Sequence, residues 1–462
     1  MKRWLLGLCG VALGLLVLPE AGEADDQKDY NIVLITADTL RGDMTGPGGS
    51  AEVYTPHLDR IAAEGVRFTR AYTTITTTLP AHASLMSSLY PKDHRAYSNV
   101  SKLSNRIVTL AEVLGPLGWR TGAHINMPWL NPDTGNVSQG FQDIRRGDHI
   151  RKADKTNPWA ENWIRKQSER DGPFLLWLHY VDNHTPYHAP GPYSDMYFEG
   201  GKGAPGETSL ASIWDTFPPD HRESEAFLSW LDGVNSADFV VGTYKGSVTW
   251  LDQHIALLRR SLEESGQWDE TIFVFTADHG ESLGEHDLWF VHAGLYEPTV
   301  RVPLVMRFPE GPRGRKVDTV VSLVDVMPTL LGRIGAPTPQ EARGRDLWPL
   351  IEGADLEGAA LLEHTGQQLQ GVVTQRWKYI EHRKTNRIYA SYPMNEGTQE
   401  LYDLVEDPGE LKDLSGSMPD KVVELQGLMA RLEEGERSFE EGKAEVSDEM
   451  QRQLEALGYF GH

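Results

Sequence analysis

Short apolar runs that stop on a polar residue recur along the chain. Residues 31–37 (NIVLITA) end at Asp38, 174–179 (FLLWLH) end near Asp182, and 271–277 (TIFVFTA) end at Asp278. Runs that are apolar throughout, rich in β-branched and aromatic residues, predict strands buried on both faces, as in a parallel sheet. Helical spacing of apolar positions predicts helices over 57–64, 84–89, 109–117 and 244–264, and residues 300–308 and 317–331 continue the same domain. Strands alternating with helices predict an α/β fold with a large, mainly parallel sheet. In such sheets ligands sit beyond the carboxyl ends of the strands. Three strands delivering Asp to that edge therefore form a functional pattern rather than a packing one.

Around residues 350–358 the composition turns acidic and small. Strand-like pieces follow at 359–364, 371–374 and 378–381, then helical patterns at 418–434 and 447–457. They predict a small C-terminal α+β unit with an antiparallel sheet. The expected organisation is an N-terminal segment 1–24, a catalytic domain over 30–352 and a C-terminal subdomain over 358–462. Stretches rich in glycine and proline at 187–206 and 309–315 read as loops. The aromatic residues Tyr187, Tyr193, Tyr197, Phe198, Trp214, Phe217 and Trp230 make the 187–240 insertion either a substrate-facing wall or a lid packed on the core.

The first residues carry an address. Lys2 and Arg3 precede an apolar run from Trp4 to Leu18, followed by Pro19 and the small residues Ala21, Gly22 and Ala24. That layout predicts a signal peptide cleaved near Ala21 or Ala24, hence a secreted or periplasmic protein. An uncleaved anchor is the alternative, and membrane contact is expected only in that case; the run is shorter than the roughly 20 residues a spanning helix needs. Cys9 is the one cysteine of the chain and lies inside this segment, so the mature chain has no disulfide or thiol chemistry. Lys and Arg total 44 against 67 Asp and Glu, a net charge of -23. Such a surface repels phosphate backbones and excludes nucleic acid as a partner. An anionic substrate then needs a local positive field, and bound metal is the obvious source.

Five clusters carry chemistry. In Asp38-Thr39-Leu40-Arg41, a strand-end Asp and a hydroxyl offer two hard oxygens to a divalent metal, and Arg41 could hold an anion; a plain helix cap is the alternative. In Thr78-Leu79-Pro80-Ala81-His82, a hydroxyl at a helix start sits where backbone N–H groups favour an anion, although threonines there also serve as simple caps. Asp278-His279-Gly280 supplies one oxygen and one nitrogen ligand. His179 to His184 and His292 to Glu297 each bring imidazole beside the strand ends, for metal ligation, oxyanion contact or leaving-group protonation.

These clusters, in this order, resemble the sulfatase family of the alkaline-phosphatase-like superfamily. The resemblance extends through Ser84-Leu85 to Tyr90-Pro91, Tyr296-Glu297 with Arg301-Val302-Pro303-Leu304, and Asp325-Val326-Met327-Pro328. It continues through Glu400-Leu401-Tyr402-Asp403-Leu404, Asp407-Pro408-Gly409-Glu410 and Ala456-Leu457-Gly458-Tyr459. It implies a large α/β domain with a small C-terminal domain, a divalent metal on Asp38, Asp278 and His279 with Thr39 nearby, and anion contacts from His184 and His292. It implies a hydrolase of small-molecule, glycan or lipid esters.

The chain departs from that family where the nucleophile should sit. Thr78-x-Pro80-x-His82 replaces the Cys/Ser-x-Pro-x-Arg from which formylglycine is made, and Asn126-Met127-Pro128-Trp129 stands where a Lys and a His are expected. Threonine cannot give the aldehyde. It resembles instead the nucleophile of phosphodiesterase-like members of the superfamily, often with two zinc ions. The expectation is that Thr78 attacks sulfur or phosphorus, His82, Arg41 and His184 hold nonbridging oxygens, and His292 or His184 protonates the leaving group. The cofactor is a divalent ion, Zn, Mn or Ca, with ligand softness favouring Zn or Mn; Asp182, His184 and His292 are candidates for a second. A degenerate binder of an anionic glycan or lipid and a phosphoryl transferase are the alternative functions.

Overall fold

The computed structural model describes residues 28–147, 151–387, 392–434, 439–444, 447, 450–452 and 454. The expected signal segment 1–24, most of the expected helix over 447–457 and the Ala456-Leu457-Gly458-Tyr459 motif lie outside them. Among the described residues no helix is long and apolar enough to cross a membrane.

The main sheet comprises β1 (Asn31–Ala37), β2 (Val66–Tyr72), β3 (Arg120–His124), β4 (Asp143–Arg145), β5 (Phe174–Tyr180), β6 (Thr271–Ala277), β7 (Arg301–Arg307), β8 (Arg315–Val317) and β9 (Val321–Ser322). Its order is β8-β2-β7-β6-β1-β5-β3-β4, with β9 also beside β2. Every pair is parallel except those of β7, which runs against both β6 and β2. Strands β1, β5 and β6 are buried at every position, as their unbroken apolar runs demand. The chain reverses its direction of strand addition at β1, which makes the edge beyond β1, β5 and β6 the switch point where ligands bind in open α/β sheets.

The sheet is flanked by α1 (Pro56–Ala63), α2 (Thr78–Ser87), α3 (Ala153–Ser168), α4 (Ala237–Glu264) and α5 (Val326–Ile334). Helix α2 starts at Thr78, the helix start expected there, ahead of the apolar spacing at 84–89, and all of its residues are buried. Pro80 is compatible with this because a first-turn N–H has no partner within the helix. The 187–240 insertion packs as a lid rather than presenting an open wall: Tyr187 and Trp230 stack edge-on, both meet Phe290, and Phe217 joins them between Phe227 and Phe290.

A second, antiparallel sheet follows in chain order: β10 (Ala359–Glu363), β11 (Leu369–Thr374), β12 (Trp377–His382) and β13 (Gln399–Asp403). Helix α6 (Pro419–Glu433) covers one face, setting Val422, Leu425 and Met429 against Leu361, Val372, Tyr379 and Leu401. The sheet is fastened to the main domain at several places, among them Tyr296 to Glu400 at 2.8 Å and Gln375 to the Asp318 carbonyl at 2.7 Å. The Glu363 N–H donates to the Thr74 carbonyl at 2.7 Å. Lys378 Nζ, fully buried, lies 2.7 Å from both Glu297 and Glu410.

Candidate active site

Register builds the site. Thr36 of β1 pairs with His179 of β5 and Thr276 of β6. Side chains alternate between faces, so these three lie side by side, and Asp38 and Asp278 follow one step further on the same face. Helix α2 covers that face. Its His82 contacts the Thr78 carbonyl through Nδ1 at 2.8 Å and Thr36 Oγ1 through Nε2 at 2.9 Å. A carbonyl only accepts, so Nδ1–H donates to Thr78 and Nε2 accepts the Thr36 hydroxyl proton. Trp177 Nε1–H donates to the same Thr36 oxygen at 3.0 Å. Burial, followed by the neighbouring His179, pushes His82 down to about 3, which keeps the ring neutral. The expectation that His82 holds a substrate oxygen is corrected by this network: both of its nitrogens are used within the protein, and it anchors the first turn of α2.

Beside His82, whose Nδ1 is 3.9 Å from Asp278 Oδ2, lies a group of acceptors without donors. Donor atoms of Asp38, Asp278 and His279 all fall within 4.8 Å of one another, and all three residues are buried. Both Asp38 oxygens, Asp278 Oδ2 and His279 Nε2 lack hydrogen-bond partners. His279 Nδ1–H donates to the Gly280 carbonyl at 3.0 Å, which leaves the lone pair on Nε2. That lone pair sits 3.5 Å from Asp278 Oδ2 and 4.0 Å from Asp38 Oδ1. Acceptors crowded together in a dry site repel one another unless a cation lies among them. The donor set, two carboxylates and one oriented imidazole, fits a divalent ion. The electrostatics agree. Burial, and then the Asp38 charge, raise Asp278 to about 7. Burial alone would raise Asp38 too, but positive charge on the surrounding imidazoles of His184, His179 and His279, whenever they hold a proton, outweighs it and lowers its carboxyl.

Thr39 ties the strand ends together. Its backbone is left-handed, at φ 56. Its N–H donates to Asp278 Oδ1 at 3.1 Å, and its hydroxyl donates to the Asn183 carbonyl at 2.6 Å. His184 donates Nδ1–H to the Thr185 carbonyl at 2.7 Å. The His292 ring lies 4.7 Å from that of His279 and 6.2 Å from that of His184. Burial lowers the pKa of both His184 and His292.

Two further expectations are corrected. Arg41 does not face the cluster as a free anion contact: its guanidinium is clamped by Asp43 at 2.7 Å and Glu285 at 2.7 Å, and it donates to the Glu281 carbonyl. Asp182 does not join a second ion site. Both of its oxygens take the Ala153 N–H, each at 3.1 Å, because the start of α3 needs a cap. Among the described residues no second group of three His, Cys, Asp or Glu donors gathers. The sequence alone assigns no role to Glu281 and no single role to His179. Glu281 is fully buried, and burial followed by the Asp38 charge raises it well above the ordinary range. His179 is fully buried beside Asp38. Its position was readable as the residue that closes the FLLWLH run.

Comparison with known proteins places this geometry. The family description Sulfatase matches residues 30–336, and that of the C-terminal region of N-sulphoglucosamine sulphohydrolase matches residues 284–437. An arylsulfatase of Clostridium perfringens is 26% identical over 89% of this chain and 96% of its own length. The multifunctional alkaline phosphatase superfamily protein PehA of Trinickia caryophylli is 28% identical over 70% of this chain and 77% of its own. The phosphonate monoester hydrolase of Agrobacterium radiobacter has the same fold, with a TM-score of 0.68 at 23% identity, over 87% of this chain and 95% of its own. With strand-end Asp38, Asp278 and His279 under a helix that opens on Thr78, and a family match across more than half its length, the chain belongs to the sulfatase family, whose members are sulfuric and phosphoric ester hydrolases.

Proposed function

We propose that this hydrolase uses Thr78 as its nucleophile and cleaves a phosphonate monoester, a phosphodiester or a sulfate ester of a small molecule or glycan. The observation that carries the reading is the group of buried, unpartnered acceptors on Asp38, Asp278 and His279 beside α2, the helix that opens on Thr78 and whose His82 Nδ1 lies 3.9 Å from Asp278 Oδ2. An ion held there supplies positive charge that lowers the pKa of the nucleophile and offsets charge developing on the substrate. Everything else falls to the chain. Thr78 Oγ1 forms a bond to phosphorus or sulfur while the ester bond breaks, aided by the positive end of α2. Its proton passes to His184 or His292, which burial keeps neutral and able to accept. The same imidazole then protonates the leaving oxygen, and water hydrolyses the threonine ester.

Chemistry separates the substrates. Formylglycine hydrate expels sulfate by collapsing to an aldehyde; a sulfo-threonine has no such exit, whereas a phosphorus centre accepts direct attack by water. The relatives named for sulfate and for phosphorus chemistry support both arms. The test is turnover of an aryl sulfate, an aryl phosphonate monoester, a phosphate monoester and a phosphodiester by metal-stripped protein, then with Zn or Mn added, in parallel with Thr78→Ala. Activity that needs the ion and falls to background in the alanine variant is expected. Thr78→Ala with unchanged turnover refutes the nucleophile. Metal bound without turnover on any substrate indicates a non-catalytic anion binder instead. Export is part of the same proposal, resting on the pattern of residues 2–24, and cell fractionation of the full chain tests it.

A further inference from the structure

His179 stands among the active-site residues without an assigned task. It closes β5, on the face that carries Thr36 and Asp38. It is fully buried, and neither ring nitrogen has a hydrogen-bond partner among the described residues. Its Nε2 lies 3.5 Å from Asp38 Oδ2, a little beyond the about 2.7–3.2 Å of an N–H···O bond. The ring cannot swing freely: it packs edge-on against His82 with centroids 4.9 Å apart. Asn126 Nδ2 donates to the His179 carbonyl and to Thr156 Oγ1, pinning the strand beneath it. A buried imidazole so placed has to answer to something, because an unpartnered polar atom in a dry interior costs free energy.

Direct ligation of the ion does not explain it. Donors around a Zn or Mg-sized ion, with bonds of about 2.0–2.1 Å, lie no more than about 4.2 Å apart. Asp38, Asp278 and His279 meet together within 4.8 Å, and His179 is not part of that group. It faces the other oxygen of Asp38. Oδ1 looks toward His279, and Oδ2 looks toward His179.

We propose that His179 is a positioning residue for Asp38: its Nε2–H holds Oδ2, so that Oδ1 is presented to the ion together with Asp278 and His279. This rests on the metal reading above. The arrangement mirrors the outer-shell partner that orients a ligating carboxylate, and loss of such a partner weakens metal affinity about 10–100-fold. It also accounts for both oxygens of a fully buried carboxylate, which Asp278 and His279 alone do not.

The test compares the wild type with His179→Phe, which fills the space without a donor, and His179→Gln, which keeps an N–H. Zn affinity of each stripped protein is measured by competition with a chromophoric chelator, beside the far-UV spectrum and melting temperature of the metal-free forms. The expected result is that Phe weakens Zn binding about 10–100-fold, Gln recovers most of the loss, and activity at saturating Zn differs less between variants than affinity does. Zn binding by His179→Phe as tight as the wild type overturns the assignment, as does a Gln variant no better than Phe, since packing alone would then account for the residue. If His179→Phe does not fold, His179→Leu replaces it in the same comparison. A wild type that binds no Zn or Mn removes the metal reading and the inference with it, and that outcome shows in the wild-type titration alone.

Discussion

The relay Trp177–Thr36–His82–Thr78 makes a quantitative prediction at Thr36. All four side chains are buried, and the Thr36 hydroxyl at once accepts from Trp177 Nε1–H and donates to His82 Nε2. Thr36→Val keeps the shape and removes both functions. Two buried polar groups then lose their partners, at about 1–3 kcal/mol each, so the variant should lose roughly 2–6 kcal/mol of stability. Thr36→Ser keeps the oxygen and removes one methyl group, which costs only about 1 kcal/mol. Function should separate the two variants as well. Freed on one side, His82 no longer fixes the Thr78 carbonyl, and a nucleophile displaced by a fraction of an ångström loses roughly 10- to 100-fold in kcat. Urea denaturation, with turnover on the best substrate, measures both quantities. A valine variant with the stability and kcat of the wild type refutes the relay, and so does a serine variant as damaged as the valine one.

Stripping the ion should lower the melting temperature, and restoring Zn or Mn to 100 times its dissociation constant should return about 2.7 kcal/mol; thermal melts that ignore the ion contradict the cluster's assignment. Burial, followed by Glu433 and Asp93, raises Glu363 from 4.5 to about 8. The folded chain therefore keeps a proton that the unfolded chain has lost, and this group costs stability progressively as pH climbs from 4.5 to 8, at up to about 1.4 kcal/mol per unit. Glu363→Gln should therefore melt higher than the wild type at pH 8 and equally at pH 4, and an unchanged difference across that range would count against it. Lys378→Met leaves the Glu297 and Glu410 carboxylates buried together and should cost about 3–5 kcal/mol at neutral pH, read by the same melts.

Much of this architecture is written locally. The unbroken apolar runs of β1, β5 and β6 announce a doubly covered parallel sheet, and each stops where its chemistry begins. What stayed hidden depends on contacts distant in sequence. Helix α3 carries Pro158 and only a short apolar stripe of Ala160, Trp163 and Ile164, so its pattern did not stand out. The start of α2 at Thr78 was legible, but whether its threonines meet an anion or merely cap the helix was not. Arg41 looked like an anion contact beside Asp38, but its partner Glu285 lies far along the chain. Asp182 looked like a ligand until the start of α3 claimed it. That His179 stands near a strand end is legible in the FLLWLH run, but that it faces Asp38 follows from register beside Thr36, and register between strands is a tertiary fact.

Two of the fastenings of the small sheet have a consequence for biosynthesis. Glu363 is laced to Thr74, a few residues before the nucleophile, and Lys378 with Glu410 grips Glu297, a few residues after His292. A nascent chain that has delivered Asp38, Thr78, Asp278, His279 and His292 therefore holds every reacting group, yet lacks the strand and the ion cluster that border two of them. Catalytic competence should come with the emergence of Glu363, Lys378 and Glu410 rather than with the domain that bears the chemistry.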